Sequence, residues 1–469
     1  MKIHRTIALV AILGLLPVVG GLAAQETNRD IDVNALLQRI EELEQRVKIM
    51  DRKRELGDEA AAEKAKVTPT VSIGAGGLQV RSADSNFVFR FRGYVQADGR
   101  FYAEDESPNG NRNDTFLLRR VRPIFEGTVY ERFDYRLMLD FPSGATASAA
   151  NDVYVQDAYL NARILPQFQV QVGKFKEPVG LERLQSGANL LFIERAYPTQ
   201  LVPNRDVGLQ VHGDLAGGLL RYEAGVFNGV ANGGSGDNEQ YDDEKDFAAR
   251  LFATPFIKSG NDWLRGLGVG VAGTYGHQDG PLRSFVTPGQ QTFFSYTTGT
   301  GTNANVAADG KIWRVSPQAY YYKGPFGIFA EYALSSQHVQ RTAAGTSVSE
   351  TLRNTGWAVS ASWFVTGEDN SFKAVTPGKP FTFGGEGWGA LELTARYAQL
   401  NADNDTFPLY ANPDTAASKA SSWGVGANWH LNRNVKLSLD YEQTEFDGGN
   451  TDFLKDGEKV ILTRAQFSF

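Results

Sequence analysis

From about residue 86 to the end of the chain, apolar and polar residues alternate in short runs. The stretch "FVFRFRGYVQADGRF" (87–101) sets Phe87, Phe89, Phe91, Val95, Ala97 and Phe101 on one parity, against Arg90, Arg92, Gln96, Asp98 and Arg100 on the other. A period of two marks a strand with one apolar and one polar face. "RFDYRLMLDF", "WAVSASWFV" and "VKLSLDYEQ" repeat the pattern, and sixteen such segments lie between 86–103 and 458–469. Their connections alternate long and short. "ER", "LPQ", "DLAGG", "KGPF" and "LNRN" are short, whereas 176–205, 229–245 and 278–310 are long.

Short turns on one rim and long loops on the other predict an all-β fold, a 16-stranded antiparallel transmembrane β-barrel over residues 86–469. A closed sheet of that size is too wide for wall side chains to fill, so its apolar face meets lipid and its polar face the lumen. An arginine on the lipid side would cost about 2–4 kcal/mol near the midplane. The parity of Arg90, Arg92 and Arg100 is therefore read as inward. Tyr102, Tyr130, Trp388, Trp423 and Trp429 stand near strand ends and are read as interfacial girdle residues. One connection, "TGEDNSFKAVTPGKPFTFGGEG", is long where a short turn is expected.

The N-terminal segments have a different pattern. Residues 1–24 combine Lys2 and Arg5 with an apolar run and small residues, as in a signal peptide. Residues 25–56 follow a heptad, with Val33, Ile40 and Val47 at a and Leu36, Leu43 and Met50 at d. Arg39 and Arg46 at g then meet Glu44 and Asp51 at e of a parallel partner, predicting a short periplasmic coiled coil. A lone amphipathic helix remains an alternative, and the pattern does not set the oligomer number. Residues 57–85 read as a linker.

Composition changes this picture little. Fifty glycines and 12% aromatic residues suit a barrel, and the net charge of −7 offers no basic surface for nucleic acid. After the signal segment no apolar run approaches the roughly 20 residues of a membrane helix. The chain has no cysteine, and His212, His277, His338 and His430 fall on separate segments. No metal, cofactor or catalytic motif is called for, and the protein is not read as an enzyme.

Several segments resemble the phosphate-selective porin O/P family in family order. They are "FLLRRVRPIFEGTVYERFDYRLMLDF", "DAYLNARILPQFQVQVGKFKEPVGLERL", "FIERAYP", "WFVTGEDNSFKAVTP" and "GALELTARYAQL". The resemblance implies an outer-membrane homotrimer whose third long loop, about 176–205, folds inward to narrow each pore. It also accounts for the long turn at 366–387. As a charge pattern it implies anion-drawing residues at Arg90, Arg92, Arg100, Arg120, Arg122, Arg136, Arg250, Arg314 and Arg396, with Lys174, Lys176, Arg183, Arg195 and Arg205 supplied by the loop.

The same faces carry Asp98, Glu126, Asp134, Asp140, Asp157, Glu223, Glu331 and Glu392, and the loop adds Glu177, Glu182 and Glu194. Each arginine thus either meets a passing anion or is already held by a carboxylate. The expected function is passive diffusion of small anions, with phosphate-type solutes favoured. The alternatives are a weakly selective general porin, or a structural protein tethered in the periplasm through the coiled coil. The expected partners are the outer-membrane bilayer, small anions, two further copies of the chain, and the assembly machinery through C-terminal Phe469.

Overall fold

The computed structural model describes residues 32–103, 113–141, 153–236, 243–448 and 457–469. The signal segment and the start of the heptad region lie outside the described residues. Residues up to 66 and from 67 onward form two separate compact units.

The first unit is a helix, α1 (Val33–Val67), which runs past the boundary at 56 read from the sequence. "DEAAAEKAKV" has no heptad but is rich in Ala, Glu and Lys, which favour helix without a partner. The supposed linker also contains a β-hairpin, Thr70–Gly74 with Gly77–Arg81. Val71 and Ile73, on its first strand, are exposed.

The second unit holds sixteen barrel strands. They are β1 (Phe87–Tyr102), β2 (Thr115–Val129), β3 (Phe133–Asp140), β4 (Tyr154–Leu165), β5 (Phe168–Lys176), β6 (Arg205–Leu215), β7 (Leu220–Phe227) and β8 (Asp246–Ala253). The second half is β9 (Leu267–Pro281), β10 (Asn305–Lys323), β11 (Phe326–Ala343), β12 (Thr346–Phe364), β13 (Ala390–Asn401), β14 (Lys419–His430), β15 (Val435–Asp447) and β16 (Glu458–Ser468). Each pairs antiparallel with its neighbour, and β16 closes onto β1 from Val460↔Tyr102 to Ser468↔Tyr94. Where β16 stops, the hairpin strand Gly77–Arg81 continues along β1, pairing Leu78 with Phe91 and Arg81 with Val88.

The alternation predicted from sequence is visible along the walls. In β12 to β15 inward residues are buried, while Trp363, Leu393, Trp423 and Leu439 stand exposed on the outer face. Phe469 stacks on Phe467 and packs at a tilt against Phe91 on that same face. Tyr102 is a correction. It shares parity with Asp98 and Arg100, is buried, and donates its hydroxyl to the Gly289 carbonyl at 2.6 Å, so it belongs to the lumen and not to a girdle. The stretch between β11 and β12 also departs from the expected long connection, because both strands extend to a tight turn at Ala344 and Gly345.

Loops pack against the inner face of the wall. Residues 177–204, 282–304 and 402–418 pack together inside the barrel. Tyr197, Leu201 and Val202 of the first pack with Phe285, Phe293 and Phe294 of the second and Tyr410, Ala411 and Ala417 of the third. The wall beneath them is lined by small inward residues, among them Ala248, Ala272, Ala333, Ala358, Ala398 and Ala420. The absence of bulk there leaves room for the loops to bury their aromatic rings.

Candidate functional site: the constriction of the lumen

Loop 177–204 is held across the barrel by bonds to the opposite wall. The Ile193 amide donates to Asp440 at 2.6 Å, and the Glu182 amide to Glu331 at 2.8 Å. The carbonyls of Gly187, Ala188 and Leu191 accept from Gln96, Gln466 and Asn428. Gly180 opens the single helical turn α2 (Leu181–Leu184) at φ 80°, where a Cβ would meet Val202 at 2.8 Å. Glycine fits both the left-handed backbone and the close approach.

Most of the wall arginines are occupied by carboxylates. Arg122 meets Asp140 at 2.6 Å and donates to the Tyr94 hydroxyl at 2.9 Å. Arg205 holds Asp157 at 2.7 Å, and Arg136 lies between Asp157 and Glu126. Arg92 pairs with Glu126 at 2.7 Å. Arg250 pairs with Glu223 at 2.9 Å and lies over the Phe252 ring. Arg396 donates twice to Glu442, both at 2.7 Å, and lies over Phe192. Arg314 is sealed beneath the 228–236 segment by the Val230 carbonyl, Asn232 and Asp246.

Glu194, on the loop, gathers Arg119 at 2.6 Å, Arg100 at 3.7 Å and Arg120 at 4.0 Å. Burial pushes its carboxyl up, but Arg119 and Arg120 outweigh that and hold it well below the usual range. Arg90 is at the short-turn rim, bonded to Gln79 of the added hairpin at 2.7 Å.

The five cations expected from the loop divide differently. Lys174, Lys176 and Arg205 belong to the flanking strands β5 and β6, and only Arg183 and Arg195 are on the loop itself. Lys174 pairs with Ala158 and Val207 along the wall. Lys176 donates to the Leu184 and Gln185 carbonyls at 3.3 and 2.8 Å. Arg195 donates to the Glu182 and Gln185 carbonyls at 3.2 and 2.9 Å, and Arg183 to the Thr199 carbonyl. Among the described residues none of these three is ion-paired. Their hydrogen-bond acceptors are neutral carbonyls, while the carboxylates of Glu182 and Glu331 lie close enough to act on Arg183, and that of Glu182 on Arg195.

Two cavities flank this group. One, of about 250 Å³, is lined by Lys176, Arg205, Arg136, Tyr159 and Gln210. The other, of about 390 Å³, opens at the short-turn rim between Lys373, Arg433, Lys436 and Phe469. They meet at Tyr94, Arg136 and Ser186.

Sequence reading missed Arg119, Arg464, Lys436 and Tyr94. Arg464 was legible, because Ala465 and Phe467 face out. Arg119 was not. A register shift between Gln96 and Ala97 skips it in the β1–β2 ladder, and it reaches the lumen beside Arg120. A bulge of this kind leaves no mark in a period-two count. Among the described residues no group of His, Asp and Glu is arranged to hold a metal ion.

Comparison with known proteins places these features. A family model described as phosphate-selective porin O and P matches residues 89–469. Porin O of Pseudomonas aeruginosa is 26% identical over 422 residues, covering 84% of this chain and 91% of the relative. Among solved structures, the outer membrane channel DcaP of Acinetobacter baumannii superposes with a TM-score of 0.52 at 11% identity, covering 83% of this chain and 99% of that one. An anion-selective porin from Comamonas acidovorans gives a TM-score of 0.50 at 10% identity, covering 82% of this chain and 100% of that one.

Proposed function

Because the chain belongs to the phosphate-selective porin O and P family, a group of bacterial outer-membrane channels and not enzymes, we propose that it conducts small anions passively, with phosphate-type solutes favoured. The observation that carries this reading is the group of Lys176, Arg183 and Arg195, whose hydrogen-bond acceptors are backbone carbonyls. The paired arginines stiffen the wall, and these three are the cations held by carbonyls instead of by carboxylates.

An anion entering the constriction gives up part of its water and receives N–H donors in exchange, from Lys176 as a point charge and from the arginines as planar forks. Each stop must bind well enough to admit the ion and weakly enough to release it. Loop acceptors that already share these donors keep each stop shallow. A homotrimer, assembled with C-terminal Phe469 read by the outer-membrane machinery, completes the proposal. The curated relative named Porin O supports the reading, as does the anion selectivity stated for the Comamonas porin.

The test is the single-channel reversal potential in a KCl gradient. Anion preference is expected, and the double variant Lys176→Gln with Arg195→Gln should lower it by about threefold or more, as expected when two cations leave a low-dielectric passage. Cation preference in the unaltered protein would remove the proposal.

A further inference from the structure

The turn between β12 and β13 is long for a rim of short turns, and its two arms face opposite ways. The first arm enters the lumen, where Phe372 stacks on Tyr320 at 5.7 Å and on Phe329 at 6.3 Å, and its carbonyl accepts from Gln185 of the constriction loop at 3.1 Å. The second arm, 379–389, turns outward. Phe381 meets Trp429 edge-on at 5.3 Å and Phe383 at 5.0 Å, and the Trp429 indole donates to the Trp388 carbonyl at 2.7 Å. Trp429 stands on the outer parity of β14, because Asn428 beside it is buried in the lumen and bonds to the Leu191 carbonyl of the constriction loop. Its partners on the flanking strands are Leu391 and Leu437. The second arm therefore continues the lipid-facing wall at the short-turn rim.

Phe383 is 96% exposed and Trp388 is 74% exposed. Large apolar rings grouped clear of the protein mark an interaction surface. The backbone that carries them is already bonded, since the Phe381 amide donates to the Leu431 carbonyl, that of Thr382 to Gly387 and that of Gly389 to Lys379. Amides with partners of their own can leave bulk water at little cost.

We propose that the arm 379–389 is a membrane-seated flap, with Phe383 and Trp388 placed among the phospholipid headgroups of the periplasmic leaflet. The occupant is lipid, because the flap adjoins wall residues that face lipid and lies at the rim level where aromatic side chains collect. The length of the turn follows, for one arm reaches into the lumen while the other passes over the rim. This seat is independent of which ions the channel conducts.

The chain has no cysteine, so a single labelling site can be introduced cleanly. In barrels reconstituted into phospholipid vesicles, an environment-sensitive fluorophore on Phe383→Cys should lose about half or more of its emission when nitroxide-labelled phospholipids are included, as expected at the headgroup level. The same fluorophore on Arg433→Cys, in the neighbouring turn at the lumen mouth, should lose almost none. Phe383 is almost wholly exposed, so its replacement leaves the barrel folded, and a labelled Trp388→Cys gives a second position with the same expected loss. Labels at 383 and 388 quenched no more than the one at 433 overturn the proposal, whether they face water, a second copy or another protein.

Discussion

Asp98 and Arg464 face each other across the seam where β16 closes onto β1. Arg464 donates twice to the carboxylate, both at 2.7 Å, and the two side chains are 1–2% exposed. Such a pair gains little over an apolar pair of the same shape, but removing one partner leaves the other charge buried alone. Asp98→Leu is therefore expected to destabilise the barrel by roughly 3–5 kcal/mol, and adding Arg464→Met should restore most of that loss. Urea midpoints of detergent-refolded barrels measure both, and an Asp98→Leu midpoint equal to that of the unaltered protein would show that the charge finds water. The sequence made the inward parity of both residues legible, since each has apolar neighbours on the other face. It could not join them, because their partnership depends on the closing register between residues 366 positions apart. The same limit left each arginine with two readings, and only the register showed that Arg122, Arg205 and Arg396 are held by carboxylates whereas Lys176 and Arg195 are not.

At the scale of elements, the strands were legible because lipid on one face and water on the other impose one constraint on every second residue. The inward loops obey no such period. The loop at about 176–205 is expected only through the family resemblance, and 278–310 is read as a long connection from its length. Yet "FVTPGQQTFFSY" carried a signal, since Phe285, Phe293, Phe294 and Tyr296 would be poorly placed in water. In the barrel, Phe293 stacks on Phe446 and lies edge-on to Tyr197, and Glu458 accepts from the Thr287 hydroxyl and the Gly289 amide. The hairpin thus braces the constriction loop from the long-loop side. Replacing 284–295 by a short Gly-Ser turn should raise single-channel conductance and make it noisier, while Lys176 and Arg195 keep the anion preference. An unchanged conductance would place the hairpin outside the ionic path.

For the whole molecule, the open matter is what covers α1. Val33, Leu36, Ile40, Leu43, Val47 and Met50 are all exposed in the single chain, a strip at a and d that water disfavours. Copies of α1 that run parallel bring Arg39 and Arg46 at g to Glu44 and Asp51 at e. In the single chain both arginines are turned to Glu42, at 3.1 and 2.7 Å. Exposed pairs of this kind are worth under about 1 kcal/mol, so redirecting them to a partner costs little. β-branched residues at a with Leu at d favour two strands, so a trimer would have its number set by the barrel walls, with the helix adding stability. Leu36→Asp with Leu43→Asp withdraws two d-layer leucines, each worth roughly 2 kcal/mol when buried. The oligomer should then dissociate at a lower temperature on a detergent gel, with each barrel conducting as before. Dissociation at the original temperature would mean that copies of α1 do not cover one another, and would shift support to the reading in which this helix binds a separate periplasmic partner.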